Sequence, residues 1–283
     1  MKRTIRISIA IVLLSASNLV LHAQVLEAPP RDGVYDRTVI SQVQPIPYPY
    51  LREADVIWTK RVWRVIDMRE KMNQPFYFPE QPQNQWKSFI EILKEGIKEG
   101  TIQAYSGTDD LFQLPITYKE LMDGLEQKTT QRLQRPDGTE FDTVLFKQFY
   151  STDVKRIRVK EDWYFDKQRS VLEVRILGIC PVMEKFGEND TVSHGDRPLF
   201  WVYFPDCRNL FARNEQFNLR NGVAGRLTYD DVFMKRIFSS YIYKEENVYN
   251  RSINDYATGV DALLESERAK NKILEFESSL WEY

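Results

Sequence analysis

The sequence predicts an α+β protein, with a helical first lobe followed by antiparallel strands packed with C-terminal helices. Three observations carry that prediction. Trp86, Phe89, Ile90, Leu93 and Ile97 recur at helical spacing within 84–98, with Lys and Glu between them. Residues 154–160 and 171–179 alternate apolar and polar, the period of a half-buried strand. Residues 259–280 return to helical spacing through Val260, Leu263, Leu264, Ile273 and Leu274.

Taken in order, the chain opens on a charge and an apolar run. Lys2, Arg3 and Arg6 precede Ile7 to Leu14, and Leu21-His22-Ala23 offers a cleavage site before Gln24. This is the layout of a secretory signal peptide over residues 1–23. The alternative, an uncleaved anchor, needs about 20 apolar residues, and this run is shorter. No cysteine follows the site to carry a lipid, so the expectation is a chain without its own lipid anchor. Cleavage leaves 36 of the 39 Lys and Arg against 41 Asp and Glu, a net charge of −5. With 28% charged and 42% hydrophobic residues, the remainder reads as a soluble globular protein. An exported, net-acidic chain is not expected to bind nucleic acid.

Residues 24–50 read as an extended arm. Pro45, Pro47 and Pro49 alternate with Ile46, Tyr48 and Tyr50, which forbids helix and favours a polyproline-like course. Such an arm is either a linker or a strip laid on a neighbour, with Tyr48 and Tyr50 as its contacts. Residues 51–72 read as helix, with Val56, Trp63 and Ile66 among the apolar positions. Thr117 and Glu120 have the reciprocal spacing that starts a short helix carrying Leu121 and Leu125. Pro136 and Gly138 lie in a polar stretch, 131–140, that divides a mainly helical lobe (51–135) from an α+β lobe (136–283).

The second lobe begins with strands. Ile157 and Val159 share one face of the first, and Arg156, Arg158 and Lys160 share the other. Leu172, Val174 and Ile176 lie together in the next. Residues 199–204 are apolar on both faces, as a covered central strand should be. Thr228 with Asp231 opens a helix predicted to run to Tyr241, and the last helix ends near Trp281 and Tyr283. If the strands around Cys180 and Cys207 form a hairpin, the cysteines lie at its opposite ends. About nine residues at ~3.3 Å then separate them by roughly 30 Å, whereas a disulfide needs Cα atoms within about 7 Å. Free thiols are expected.

Motifs that carry chemistry are sparse. After cleavage His194 is the remaining histidine, placed in a loop between strands, too isolated for ordinary zinc-ligand spacing. No G-x-S-x-G elbow accompanies it, and neither phosphate-cradling glycine motif is present. Glu161-Asp162 and Asp230-Asp231 are the densest acid pairs. Strand neighbours point to opposite faces, and acids in a helix's first turn meet its dipole, so the structural reading of both is preferred to a glycosidase pair. Gly222 and Gly225 read as turn glycines. The Arg156, Arg158 and Lys160 stripe reads as a solvated strand face, or else as a patch for an acidic partner or anionic headgroups. No catalytic, metal or cofactor residue is assigned.

Several stretches resemble the GldN/PorN family. They are Lys160 to Ile179 (KEDWYFDKQRSVLEVRILGI), Pro198 to Arg208 (PLFWVYFPDCR), Tyr229 to Tyr256 (YDDVFMKRIFSSYIYKEENVYNRSINDY) and the final LWEY. The resemblance implies a non-catalytic component of type IX secretion and gliding motility. It further implies a periplasmic ring made by copies of the chain with an outer-membrane lipoprotein, and contact with the periplasmic domain of an inner-membrane motor protein. No cofactor is implied. For such a ring the Arg156/Arg158/Lys160 face and the Trp281/Tyr283 end are the candidate surfaces. The rival readings are a carboxylate-dependent periplasmic hydrolase and a sugar-binding module with exposed Trp and Tyr.

Overall fold

The computed structural model describes residues 43–83, 86–125, 127–134, 140–147, 149–186, 193–217 and 226–280, with backbone alone for 127–134, 140–147, Phe186, Ser193 and His194. The expected signal peptide at 1–23, Gly222, Gly225, Trp281 and Tyr283 lie outside them. The described strands are β1 (Val56–Asp67), β2 (Ala104–Ser106), β3 (Pro115–Ile116), β4 (Gln127–Gln134), β5 (Glu140–Lys147), β6 (Val154–Asp166), β7 (Val171–Phe186), β8 (Ser193–Pro198), β9 (Phe200–Tyr203) and β10 (Tyr241–Glu245). The helices are α1 (Gln74–Tyr77), α2 (Phe89–Glu99), α3 (Tyr118–Leu125), α4 (Phe204–Ala212), α5 (Tyr229–Met234) and α6 (Val260–Ser279). The architecture is α+β, as the sequence predicts.

One antiparallel sheet of eight strands organises the molecule, in the order β10-β1-β6-β7-β9-β2-β3, with β8 also paired to β7. The β4–β5 hairpin forms a second, two-stranded sheet. Pro136 and Gly138, in the stretch read as a boundary between lobes, fall between these two strands in sequence and lie outside the described residues. Pairing joins the two halves of the chain directly. β1 lies between β10 and β6, against Ile242 through Arg64 and Ile157 through Ile66.

That placement corrects the helix expected over 51–72. Val62, Trp63, Arg64, Val65 and Ile66 are consecutive and all buried, which a helix on a sheet cannot achieve. A strand hydrogen-bonded on both sides and covered on both faces can. A second correction concerns the helix expected from Thr228 to Tyr241. The capping box of Thr228 and Asp231 is present, but the helix ends at Met234. Arg236 then turns the chain at a φ of 54°, and Tyr241 begins β10.

Helices gather on one face of the sheet. Ile157, Val159, Ile176, Ile179, Phe200 and Val202 meet Phe89, Ile90 and Leu93 of α2, Phe204 and Phe211 of α4, and Val232 and Phe233 of α5. Ser88 caps α2, accepting from the Glu91 N–H at 3.4 Å. Thr117 and Glu120 form the expected reciprocal cap of α3, the Thr117 N–H donating to Glu120 at 2.9 Å. On the same face α6 packs Ala269 and Ile273 against Val62 and Ile242, and Trp58 stacks on Phe276 with centroids 4.3 Å apart. Ser266 Oγ of α6 accepts the Ile242 N–H at 3.1 Å, satisfying a donor on the outer strand β10.

Between these two apolar regions lies a buried charge cluster. Glu161 is fully buried. It accepts from Arg236 Nη1 at 2.9 Å, Arg64 Nε at 3.2 Å and the Trp163 indole N–H at 3.1 Å. The glutamate read only as a strand neighbour of Asp162 therefore bridges β1, β6 and the turn after α5.

The cysteines are free, by a geometry other than hairpin ends. Cys207 belongs to the helix-side core, and Cys180 packs with Trp63, Val182 and Trp201 on the opposite sheet face. The sheet itself keeps them apart. Burial pushes the Cys180 thiol up to about 12, with Arg158 opposing.

The described end of the arm, residues 43–50, has neither helix nor strand, as its prolines dictate. Tyr50 is 86% exposed. Tyr48, in contrast, is packed on the chain's own fold. Its ring lies 4.4 Å from the Arg208 guanidinium and 5.1 Å from that of Arg175, and Arg175 Nη2 donates to the Pro49 carbonyl at 2.6 Å. Burial raises the Tyr48 phenol above its ordinary range, with Arg208 opposing. Tyr48 and Pro49 thus rest on the chain's own fold, and residues 24–42 of the expected arm lie outside the described residues. Partly desolvated cation–π contacts are worth about 0.5–2 kcal/mol each. Tyr48→Ala is therefore expected to lower the thermal midpoint by several degrees, whereas Tyr50→Ala leaves it unchanged within one degree or so, both read by circular dichroism.

Candidate functional site

The sheet face turned away from the helices carries the polar groups. Alternation along β6 puts Arg156, Arg158, Lys160 and Asp162 on it, as expected, but they are no solvated stripe. Lys160 is 3% exposed. Its Nζ donates to the Asp110 carbonyl at 2.7 Å and pairs with the Asp110 carboxylate at 3.4 Å. Burial pushes its ammonium below the usual lysine range, with Asp110 opposing. Arg156 donates to Asp196 and lies 3.5 Å from both Asp67 and Glu184. Asp162 takes both Arg61 donors at 2.6 and 2.8 Å. The neutralising acids come from β1, β7, β8 and the β2–β3 loop, remote in sequence, and no local spacing announces them.

The β2–β3 loop is fixed from below. Phe112, at a φ of 58°, drives its ring against Tyr105, Trp201 and Tyr203. Gly178 makes room for it, since a Cβ there would come within 2.5 Å of the Phe112 ring. The Trp63 indole N–H donates to Asp110 at 2.5 Å, so the loop is held to the sheet by a ring and by a carboxylate. Close approach recurs at Gly107, where a Cβ would meet the Leu199 carbonyl oxygen at 2.7 Å.

β10 contributes the opposite side through a bulge. Arg64 pairs with Ile242 and Trp63 with Lys244, leaving Tyr243 as the extra residue. Bulges re-aim side chains. Ile242 enters the helix-side core, while Tyr243 joins the Trp63 cluster and Lys244 lies over the Trp63 ring, its Nζ 4.4 Å from the centroid. Burial raises the Tyr243 phenol, with Arg158 opposing.

Loop and bulge together frame a cleft of about 360 Å³. Its floor is Trp63, Trp201, Tyr243 and Arg158, and its rim includes Asp109, Asp110, Asn250, Ser252, Asn254 and Asp255. The rim residues after β10 are ordered by a capping box, in which the Ser252 N–H donates to Asp255 at 2.6 Å and holds that carboxyl below its usual range. A neighbouring hollow of about 440 Å³ lies around Arg251, whose guanidinium sits 5.0 Å from the Tyr249 ring and 4.9 Å from the Tyr256 ring.

His194 lies in β8, not in a loop. Asp230 is paired with Arg208 at 2.9 and 3.1 Å and buried, while Asp231 caps Thr228. Among the described residues no three His, Cys, Asp or Glu side chains come together as a metal site. No helix among them is long and apolar enough to cross a membrane.

Fold and cleft define an α+β protein with a charged recess on the sheet face opposite its helix-side core. The model of the family described as gliding motility associated protein GldN matches residues 51–282, and the chain belongs to that family. Membership puts it in the gliding-motility and type IX secretion machinery. No curated protein matches the chain.

Proposed function

We propose that this chain is a non-enzymatic structural subunit of a periplasmic ring that supports type IX secretion and gliding. It forms that ring from repeated copies with an outer-membrane lipoprotein, and it meets the periplasmic domain of an inner-membrane motor protein. The family match over 51–282 is the observation that carries this reading. Exposed apolar surface supports it. On α6, Val260, Leu263, Leu264 and Leu274 are 71, 61, 51 and 49% exposed, and Val248 and Tyr249 just before the helix are 97 and 77% exposed. Apolar residues clustered in this way mark protein contact surfaces, and Trp281 and Tyr283 follow directly in sequence.

The rival readings find less support. A carboxylate hydrolase needs two facing acids, yet Asp110 and Asp196 in the cleft are engaged by Lys160 and Arg156. A sugar platform in the cleft needs open aromatic faces, yet Trp63 and Trp201 there are 6% and 3% exposed.

Each subunit of a closed ring must offer two different surfaces to its neighbours, and α6 is the one assigned here. Leu263→Glu with Leu264→Glu is expected to leave the thermal midpoint within about two degrees, because surface substitutions cost little. The same pair is expected to abolish co-purification with the lipoprotein from solubilised envelopes. Undiminished co-purification by the double variant would remove α6 from the interface.

A further inference from the structure

The cleft beside the β10 bulge is a further site. We propose that it binds a carboxylate presented by an acidic segment of a protein partner. This deepens the assembly reading and rests on it for the ligand being protein. The groups lining the cleft differ in how far they are already engaged.

Asp110 accepts from Trp63 and Lys160, and Asp196 pairs with Arg156. Asp109 accepts the Leu111 N–H at 3.2 Å and Asp255 the Ser252 N–H at 2.6 Å. Every acid of the lining thus has a donor within the fold. The two cations are less well provided. Arg158 Nε is buried with no hydrogen-bond partner, and the nearest carboxylate oxygen paired with its guanidinium, on Asp196, lies at 3.6 Å. Beyond that pair its guanidinium rests on the Tyr243 ring at 4.9 Å. Lys244 lies over the Trp63 ring, with no carboxylate within salt-bridge distance among the described residues.

A buried donor without a partner, as Arg158 Nε is, is costly, and the half-exposed Lys244 stands at the same recess. A carboxylate entering it would accept from Arg158 and Lys244 in charge-assisted bonds. Backbone N–H groups flanking that carboxylate would meet the remaining acceptor capacity of Asp109 and Asp255 on the rim. The bulge is what makes the pairing of cations possible, because without it Lys244 would fall out of register with Trp63.

The test uses the isolated full chain with ¹⁵N-labelled tryptophan, titrated with acetylated hexaglutamate amide, hexaglutamine amide or hexalysine amide. Hexaglutamate is expected to shift the Trp63 indole resonance saturably, with Trp58 and Trp86 unmoved, and hexaglutamine to shift nothing. Lys244→Gln, on a half-exposed side chain, is expected to weaken hexaglutamate about tenfold, the loss of one charge-assisted bond. Arg158→Gln is expected to weaken it at least as much, with folding checked by its melting curve. A Trp63 shift by hexalysine, equal response to hexaglutamine, no response to hexaglutamate, or an unchanged affinity in Lys244→Gln would each overturn the proposal. The α6 variant should bind hexaglutamate normally, so failure of the ring reading and failure of this site are read apart.

Discussion

Glu161→Ala is expected to be among the most destabilising single substitutions in the chain, lowering the thermal midpoint by about 10 °C or more. The carboxylate is fully buried and is shared by Arg64, Arg236 and the Trp163 indole. Removing one partner of a buried ion pair costs about 3–5 kcal/mol, since the charges left behind have no water to turn to. Arg64 bears most of that cost, because its side chain is 8% exposed against 26% for Arg236. At about 2–4 °C per kcal/mol for a chain of this size, the shift is large. Glu161→Gln keeps an acceptor for both guanidiniums and is expected to lose roughly half as much. A loss under about 1 kcal/mol for Glu161→Ala would show that the two arginines find other partners.

Phe233→Ala is expected to cost a similar amount, about 3–5 kcal/mol, read as a fall in the urea midpoint at unchanged slope. Phe233 is 1% exposed. Its centroid lies 5.4 Å from both Phe76 and Phe89, 5.5 Å from Phe204 and 5.9 Å from both Phe211 and Phe238. These rings come from α1, α2, α4 and the loop after α5, so a cavity at Phe233 loosens four connections together. Much of the aromatic content of the sequence is explained here, as core rather than surface. A fall in slope as well as midpoint would signify that α5 detaches before the sheet unfolds.

Legibility in the sequence followed locality. Ile157 and Val159 against Arg156, Arg158 and Lys160 could be assigned to faces because a strand's period is two, whatever it pairs with. The caps at Thr117 and Thr228 could be placed because both partners lie within one helical turn. β1 was hidden for the opposite reason. Val56, Trp63 and Ile66 satisfy a helical spacing by coincidence, and the strand is stabilised by β6 and β10, which are distant in sequence. The β-branched and aromatic content of VIWTKRVWRVID was the available signal against helix.

β10 is not legible because five residues are too few to show a period, and because the capping box before it marks where a helix starts but not where it ends. The cleft was illegible altogether. Its cations lie on β6 and β10, its acids in two loops and β8, and its shape depends on Gly178 receiving Phe112. The burial of Lys160 is not legible, since alternation reports which face a residue takes but not what covers that face. Tyr48 shows the same limit, its prolines correctly forbidding helix while saying nothing of Arg175 and Arg208.

Size distinguishes the proposed repeating subunit of a closed assembly from a chain that acts alone. The chain should be co-expressed with the outer-membrane lipoprotein proposed as its partner, solubilised in mild detergent and examined by size-exclusion chromatography and electron microscopy. Elution as a very large complex containing both proteins, with rings in projection, is expected, and is expected to be lost in the Leu263→Glu, Leu264→Glu double variant. Elution as a folded monomer, with the lipoprotein present and separately eluting, would contradict a closed assembly.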